Sequence, residues 1–177
     1  FDMQGGATVT FNDARRFGFM DLWPLDDLDR YPPFDGMGPE PISNQFSGAY
    51  LQEAFAGKKA PVKAALLDQY VVAGLGNIYV CEALFRSGIS PKKLAGAIKR
   101  DKLEILAVEI RKVIEEAIAA GGSTISDFET TSGELGYFQH RFQVYDREGD
   151  PCITCAKPVK RLVQSGRSTF YCGTCQK

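Results

Sequence analysis

Four cysteines stand in two tight pairs, Cys152-x2-Cys155 and Cys172-x2-Cys175, with sixteen residues between the pairs. Two residues between thiolates let both sulfurs reach one ion from a tight knuckle, and four thiolates are a ligand set of tetrahedral zinc. Such a shell leaves no open position for water, so its part is structural. Two disulfides or free thiols are the alternative. An odd total of five cysteines, with Cys81 alone, suits a reducing compartment and a metal better. Four thiolates on one divalent ion leave a charge of about −2. Lys157, Lys160, Arg161 and Arg167 lie between the pairs and offset it. With the shell complete, His140 reads as a loop or surface residue.

Three further places carry chemistry. Between the knuckles, Gly166 permits a sharp turn that would push Arg167 outward from a hairpin tip, where a guanidinium is placed for a phosphate. Spacing alone leaves a solvated surface arginine open. Gly74-Leu75-Gly76-Asn77 precedes a helical pattern. Two glycines bring backbone close to a ligand, helix-start amides favour an anion, and Asn77 adds a side-chain donor. A plain helix–turn–helix corner is equally compatible, and Lys58, Lys59 and Lys63 just upstream favour phosphate. Arg15-Arg16-Phe17 sets two cations beside an aromatic that could wedge a base stack; a solvated charge pair beside a core phenylalanine is the other reading.

These groups need elements to hold them. Val9–Phe11 and Phe17–Trp23 read as strands with Asn12-Asp13 as the turn, and the Pro-, Gly- and Asp-rich residues 24–42 as a linker. A helix capped by Ser43 is expected to run to about Phe55, a second over 61–72, and a third from Ile78 to Arg86, opened by Asn77. Ser90-Pro91 reads as an N-cap and first helical residue. The clearest helix covers about 98–120. Leu103, Leu106, Ile110, Val113, Ile114 and Ala117 repeat on one face as core, and Gly121-Gly122 stops it. Residues 121–139 read as a long loop, of a length usually functional or disordered. Phe142–Tyr145, a turn at Arg147–Asp150 and the cysteine pairs read as short β-hairpins.

The 177 residues are 44% hydrophobic and 24% charged, ordinary globular composition with no apolar run long enough to span a bilayer. The net charge of −1 is unevenly spread: residues 1–57 hold three basic groups against nine acidic, while residues 137–177 hold seven basic against three acidic. A local basic surface is what phosphate binding needs.

Together these pieces resemble the bacterial formamidopyrimidine-DNA glycosylases, also called 8-oxoguanine DNA glycosylases. The matching stretches are FNDARRFGF (11–19), KAALLDQYVVAGLGNIYVCEALFRSGISP (63–91), GGSTISDF (121–128), GYFQ (136–139), VYDREGDPC (144–152) and GRSTFYCGTCQK (166–177). The resemblance implies a mainly α fold with a little β. Residues 1–40 would be strands of an N-terminal β-sandwich plus linker, 41–136 a helix–two-turn–helix domain with a lesion-recognition loop, and 137–177 a β-hairpin finger holding one structural zinc.

It also implies a bifunctional glycosylase and AP lyase that removes oxidised purines from double-stranded DNA, acting as a monomer in the bacterial cytoplasm. Asn77 and Arg167 would hold the phosphates flanking the lesion, and Lys58 or Lys59, with Lys63, would sit near the backbone or lesion. Arg15 would face the orphaned cytosine, Arg16 a phosphate, and Phe17 would wedge the stack. Arg167 would be the catalytic proton donor of the δ-elimination step, and loop 121–139 would close over the flipped base. The family's nucleophile is an N-terminal proline followed by glutamate, with a further lysine in the first domain. None stands in this sequence, so a truncated or proteolytic piece is expected, binding DNA without excising a base. Ser126 stands where many relatives carry arginine. An endonuclease VIII-type enzyme for oxidised pyrimidines is one alternative; a non-enzymatic zinc-ribbon module contacting DNA or protein is another.

Overall fold

A computed structural model describes residues 1–13, 16–123 and 136–177. Arg15, Ser126 and most of the expected recognition loop lie outside the described residues. The chain divides into two units, Phe1–Asp35 and Gly36–Lys177.

In the first unit, Asp2 and Thr8 form an isolated antiparallel bridge, closed by Val9 N–H donating to the Phe1 carbonyl at 2.8 Å. Next to the expected turn at Asn12-Asp13, the Asp13 carbonyl accepts from Arg16 N–H at 3.1 Å. The expected strands are not present among the described residues. Leu22 is 94% and Phe19 69% exposed, so the alternating side chains meet no second layer within this unit, and a lone ribbon is marginal in water. The linker contains two short 3-10 turns, Leu25–Arg30 and Pro32–Phe34, around a Trp23–Tyr31–Phe34 ring cluster.

The second unit is mostly helical with one small antiparallel sheet. Its helices are α1 (Gly48–Phe55), α2 (Val62–Leu67), α3 (Asn77–Arg86) and α4 (Arg100–Ala119); its strands are β1 (Lys160–Gln164) and β2 (Arg167–Tyr171). The periodicity of α4 does what its pattern predicts: Leu103, Leu106, Ile110, Val113 and Ala117 are buried against α1 and α3. Gly48 lets α1 come close, since a Cβ there would stand 2.6 Å from the Glu104 Cα.

Several boundaries differ from those expected, each for a tertiary reason. Ser47, not Ser43, caps α1, its Oγ accepting from Tyr50 N–H at 3.1 Å. The Arg111 guanidinium holds residues 41–46 in turns through the carbonyls of Pro41, Ser43 and Phe46. α2 stops at Leu67 because Asp68 forms a turn, its carboxylate accepting from Tyr70 N–H and its carbonyl from Val71 and Val72. Ser90-Pro91 opens no helix: Ser90 N–H donates to Lys177 O, and the Pro91 carbonyl accepts from Gln164. Gln143, Val144 and Tyr145 form no strand because their N–H groups all point at one buried carboxylate, Glu82. No described helix is long and apolar enough to cross a membrane.

Candidate nucleic-acid interface and metal centre

The four Sγ atoms lie within 4.8 Å of one another, with Cys152–Cys175 at 3.9 Å and Cys155–Cys172 at 3.5 Å. A tetrahedral ion with Zn–S bonds of about 2.3 Å separates its sulfurs by about 3.8 Å, so the cage has the size the metal needs. Thr154 N–H reaches the Cys152 sulfur and Cys175 N–H the Cys172 sulfur, each at 3.5 Å, as knuckle amides should. The Cys172 thiol is lowered to about 7: burial, the largest influence, opposes ionisation, but the Cys175 and Thr174 amides and the Cys155 and Cys152 thiols outweigh it. Cys175 is pushed up to about 12 by burial and by its three sulfur neighbours. Zinc bound here would hold all four sulfurs as thiolates and fix the finger. His140 is exposed and outside the cage.

The metal pins a hairpin. β1 and β2 pair in the register Lys160↔Tyr171 to Gln164↔Arg167, leaving Ser165-Gly166 as a two-residue turn. Both turn residues have positive φ, 49° and 72°, the type I′ geometry that matches strand twist and that glycine adopts without strain. Arg167 follows immediately and is exposed.

Directly behind Arg167, two helices meet the hairpin at one atom. The Ser168 carbonyl accepts from Lys63 Nζ of α2 and from Asn77 Nδ2 of α3, both at 3.0 Å. Lys63 Nζ also donates to Thr169 Oγ1 at 2.7 Å. Lys63 is fully buried, and burial pulls its pKa below the ordinary lysine value; nearby Arg167 acts in the same direction and the Cys81 thiol against it. Lys63, which the resemblance sets near the DNA backbone or lesion, sends its hydrogen bonds to the strand carrying Arg167. Lys58 is half-buried and Lys59 exposed. Asn77 keeps its second amide hydrogen, while its Oδ1 is buried without a partner among the described residues. Gly76 supplies no side-chain cap to α3, so first-turn amides there remain available. In the other unit Arg16 has φ 56° and Phe17 is 82% exposed.

Residue-type reasoning missed several groups that hold this junction. Glu82 is fully buried and accepts from Gln143, Val144 and Tyr145 at 2.9, 3.0 and 2.8 Å. One acid inside the run Val80-Cys81-Glu82-Ala83-Leu84-Phe85 is the signal that could have found it. Gln176 bridges Cys172 N–H and the Ile89 carbonyl at 2.7 and 2.9 Å. No local signal marks it.

A helical bundle whose Gly-rich turn opens beside a four-thiolate hairpin finger is the helix–two-turn–helix plus zinc-finger class. Residues 37–129 match the family described as the formamidopyrimidine-DNA glycosylase H2TH domain, and residues 149–177 match the zinc finger found in FPG and IleRS. The chain belongs to the formamidopyrimidine-DNA glycosylase family and carries one structural zinc site. It is 56% identical to a formamidopyrimidine-DNA glycosylase of Cereibacter sphaeroides over 99% of this chain and 63% of the relative. A Rhodopseudomonas palustris relative is also 56% identical, over 100% of this chain and 63% of its own length. The chain thus spans about 63% of the length of these curated relatives. Among solved structures, a MutM bound to DNA containing carbocyclic 8-oxo-G superposes with TM-score 0.84 at 33% identity, covering 93% of this chain and 60% of that one. The MutM (FPG) protein of Thermus thermophilus gives 0.79 at 42% identity, over 85% and 57%.

Proposed function

We propose that the protein is the DNA-binding part of a bifunctional DNA glycosylase and AP lyase that excises oxidised purines, 8-oxoguanine and formamidopyrimidines, in base excision repair. Its partner would be double-stranded damaged DNA, bound by a monomer in the bacterial cytoplasm. The observation that carries this reading is the convergence of Lys63 and Asn77 on Ser168 O, directly beneath an exposed Arg167. Asn77 and Arg167 would hold the phosphates on either side of an extruded nucleotide, helped by the uncapped start of α3. Lys63 would act from beneath, holding the β2 backbone so that Arg167 is presented in one geometry. Lys58 and Lys59 would add phosphate contacts.

Arg167, close to the sugar, would donate the proton of the second elimination. Residues 1–40 would belong to the family's β-sandwich and linker, with Arg15 facing the orphaned cytosine, Arg16 on a phosphate and Phe17 in the stack. Residues 41–136 would form the helix–two-turn–helix domain with the lesion loop, and 137–177 the finger. The test compares affinity for duplexes with an abasic analogue and for intact duplexes. Tighter binding to the abasic analogue, lost in Asn77→Ala, is expected. Equal affinity for both would favour the zinc-ribbon module instead.

A further inference from the structure

Three stretches of the sequence contain no Asp or Glu: residues 54–67, 83–100 and 151–177. They hold three, five and five of the chain's 21 Lys and Arg, although the whole chain is acidic by one charge. Far apart in sequence, they are stitched together in the fold. Val62 N–H donates to Lys93 O at 2.7 Å and Gly96 N–H to Lys58 O at 3.1 Å, joining the first stretch to the second. Lys177 N–H donates to Gly88 O at 3.1 Å and Gln164 Nε2 to Pro91 O at 3.2 Å, joining the second to the third.

At that second seam, exposed lysines gather. Lys92 Nζ stands 5.2 Å from the centre of the Tyr171 ring, Tyr171 is the cross-strand partner of Lys160, and Lys93 and Lys177 flank them. None of Lys92, Lys93, Lys160 and Lys177 is in an ion pair among the described residues. Of the acids bordering the stretches, Glu82 accepts from three amides, Asp68 accepts from Tyr70 N–H, and Asp150 pairs with Arg147. A face kept for solubility mixes signs; the stretches that build this one contain no acidic side chain.

We propose that Lys92, Lys93, Lys160 and Lys177 form a phosphate track for the duplex flanking the lesion, continuous with the Asn77–Arg167 site but outside it. This rests on the DNA-binding reading. β2 runs from Arg167 to Tyr171, about 13 Å at 3.3 Å per residue. Along B-DNA that is about four base-pair steps at 3.4 Å per phosphate on each strand. The track therefore meets one flank only, about four base pairs from the phosphates at Arg167.

The zinc-loaded chain is titrated with an abasic-analogue duplex at several salt concentrations, then with duplexes in which one flank or the other is cut to about three base pairs. Lys92→Gln/Lys93→Gln should flatten the log K against log salt slope by about 1.8 on the long duplex, at about 0.9 per contact. Cutting one flank, and only one, should erase the difference between wild type and variant. Lys92→Arg/Lys93→Arg should keep the wild-type slope, and Lys177→Gln should lose about half as much as the double variant. Zinc content and melting midpoint report whether each variant folds. An unchanged slope in the folded double variant, or a loss equal on both shortened duplexes, overturns the track while leaving the DNA reading standing. Failure of wild type to bind any duplex would overturn both.

Discussion

The helical bundle and the finger, both in the unit Gly36–Lys177, close their interiors with different materials. Around α4, twenty-two buried residues among those described, from Phe46 to Phe138, form a continuous core, with Leu51, Leu66, Leu84 and Ile110 fully excluded from water. The finger's buried cluster has seven members, two of them the metal ligands Cys152 and Cys172 and a third the neighbouring Cys81. Apolar burial dominates the first; the second has less of it and would rest on sulfur–metal bonds, with polar staples reaching back to α3. The consequence is functional. The bundle supplies Lys63 and Asn77, the hairpin supplies Arg167, and the two meet at the Ser168 carbonyl.

Removing zinc should separate the two regions most sharply. Structural zinc contributes on the order of 10–16 kcal/mol of apparent binding energy to small fingers. Chelation, or Cys172→Ser, should therefore unfold the hairpin and abolish DNA binding while leaving most of the helical circular dichroism in place. Helicity lost in parallel with zinc would show that the bundle depends on the metal too.

Glu82→Gln comes next. The carboxylate joins α3 to residues 143–145 through three short N–H donors, and hydrogen bonds to a charged group are worth about 1.5–3 kcal/mol each before losses are shared. An amide presents one acceptor oxygen and two donors, so at least one backbone N–H loses its partner. A drop of about 2–3 kcal/mol in denaturant stability is expected, with zinc still bound. A change under about 0.5 kcal/mol would make the joint incidental.

The sequence carried the finger's design openly and hid its attachment. Paired cysteines, a turn glycine and the arginine after it are local signals, so the cage, the hairpin tip and exposed Arg167 could be read directly. The long stripe of α4 was equally plain. The burial of Lys63 was hidden, because nothing in residues 58–63 reveals that β2, 105 residues later, receives its hydrogen bonds. Ser43 and Ser90-Pro91 have every mark of helix caps, yet Arg111 and Lys177 claim their surroundings through contacts that no window of the sequence contains. Residues 1–23 show the strand alternation, but strands need partners, and within their own unit Phe19 and Leu22 face water.

The Arg86–Glu116 pair ties α3 to α4 and should give the smallest effect. It is bidentate at 2.8 Å on both arms, and the Glu116 carboxyl is held below its ordinary value of 4.5, first by hydrogen bonding to Arg86, with burial opposing and the Arg86 charge adding. A depressed carboxyl contributes stability that is complete above the unfolded pKa and is lost as pH falls through the folded one. Glu116 is 38% exposed, so solvent screening keeps the gain small. Glu116→Gln should lower stability slightly at pH 7 and match wild type at low pH, flattening the acid limb of stability below about pH 4.5. An acid limb identical in both proteins would mean that other carboxylates set it.

The proposed phosphate contact of Arg167, beside the Ser168 carbonyl where bundle and finger meet, is tested most directly by the salt dependence of binding to an abasic-analogue duplex, wild type against Arg167→Ala. If Arg167 holds a phosphate, the variant binds more weakly at every salt concentration and its log–log slope flattens by about 0.9, one released counterion. A variant with full zinc content and an unchanged slope would contradict the account, leaving Arg167 a surface charge and the junction a scaffold for some other group.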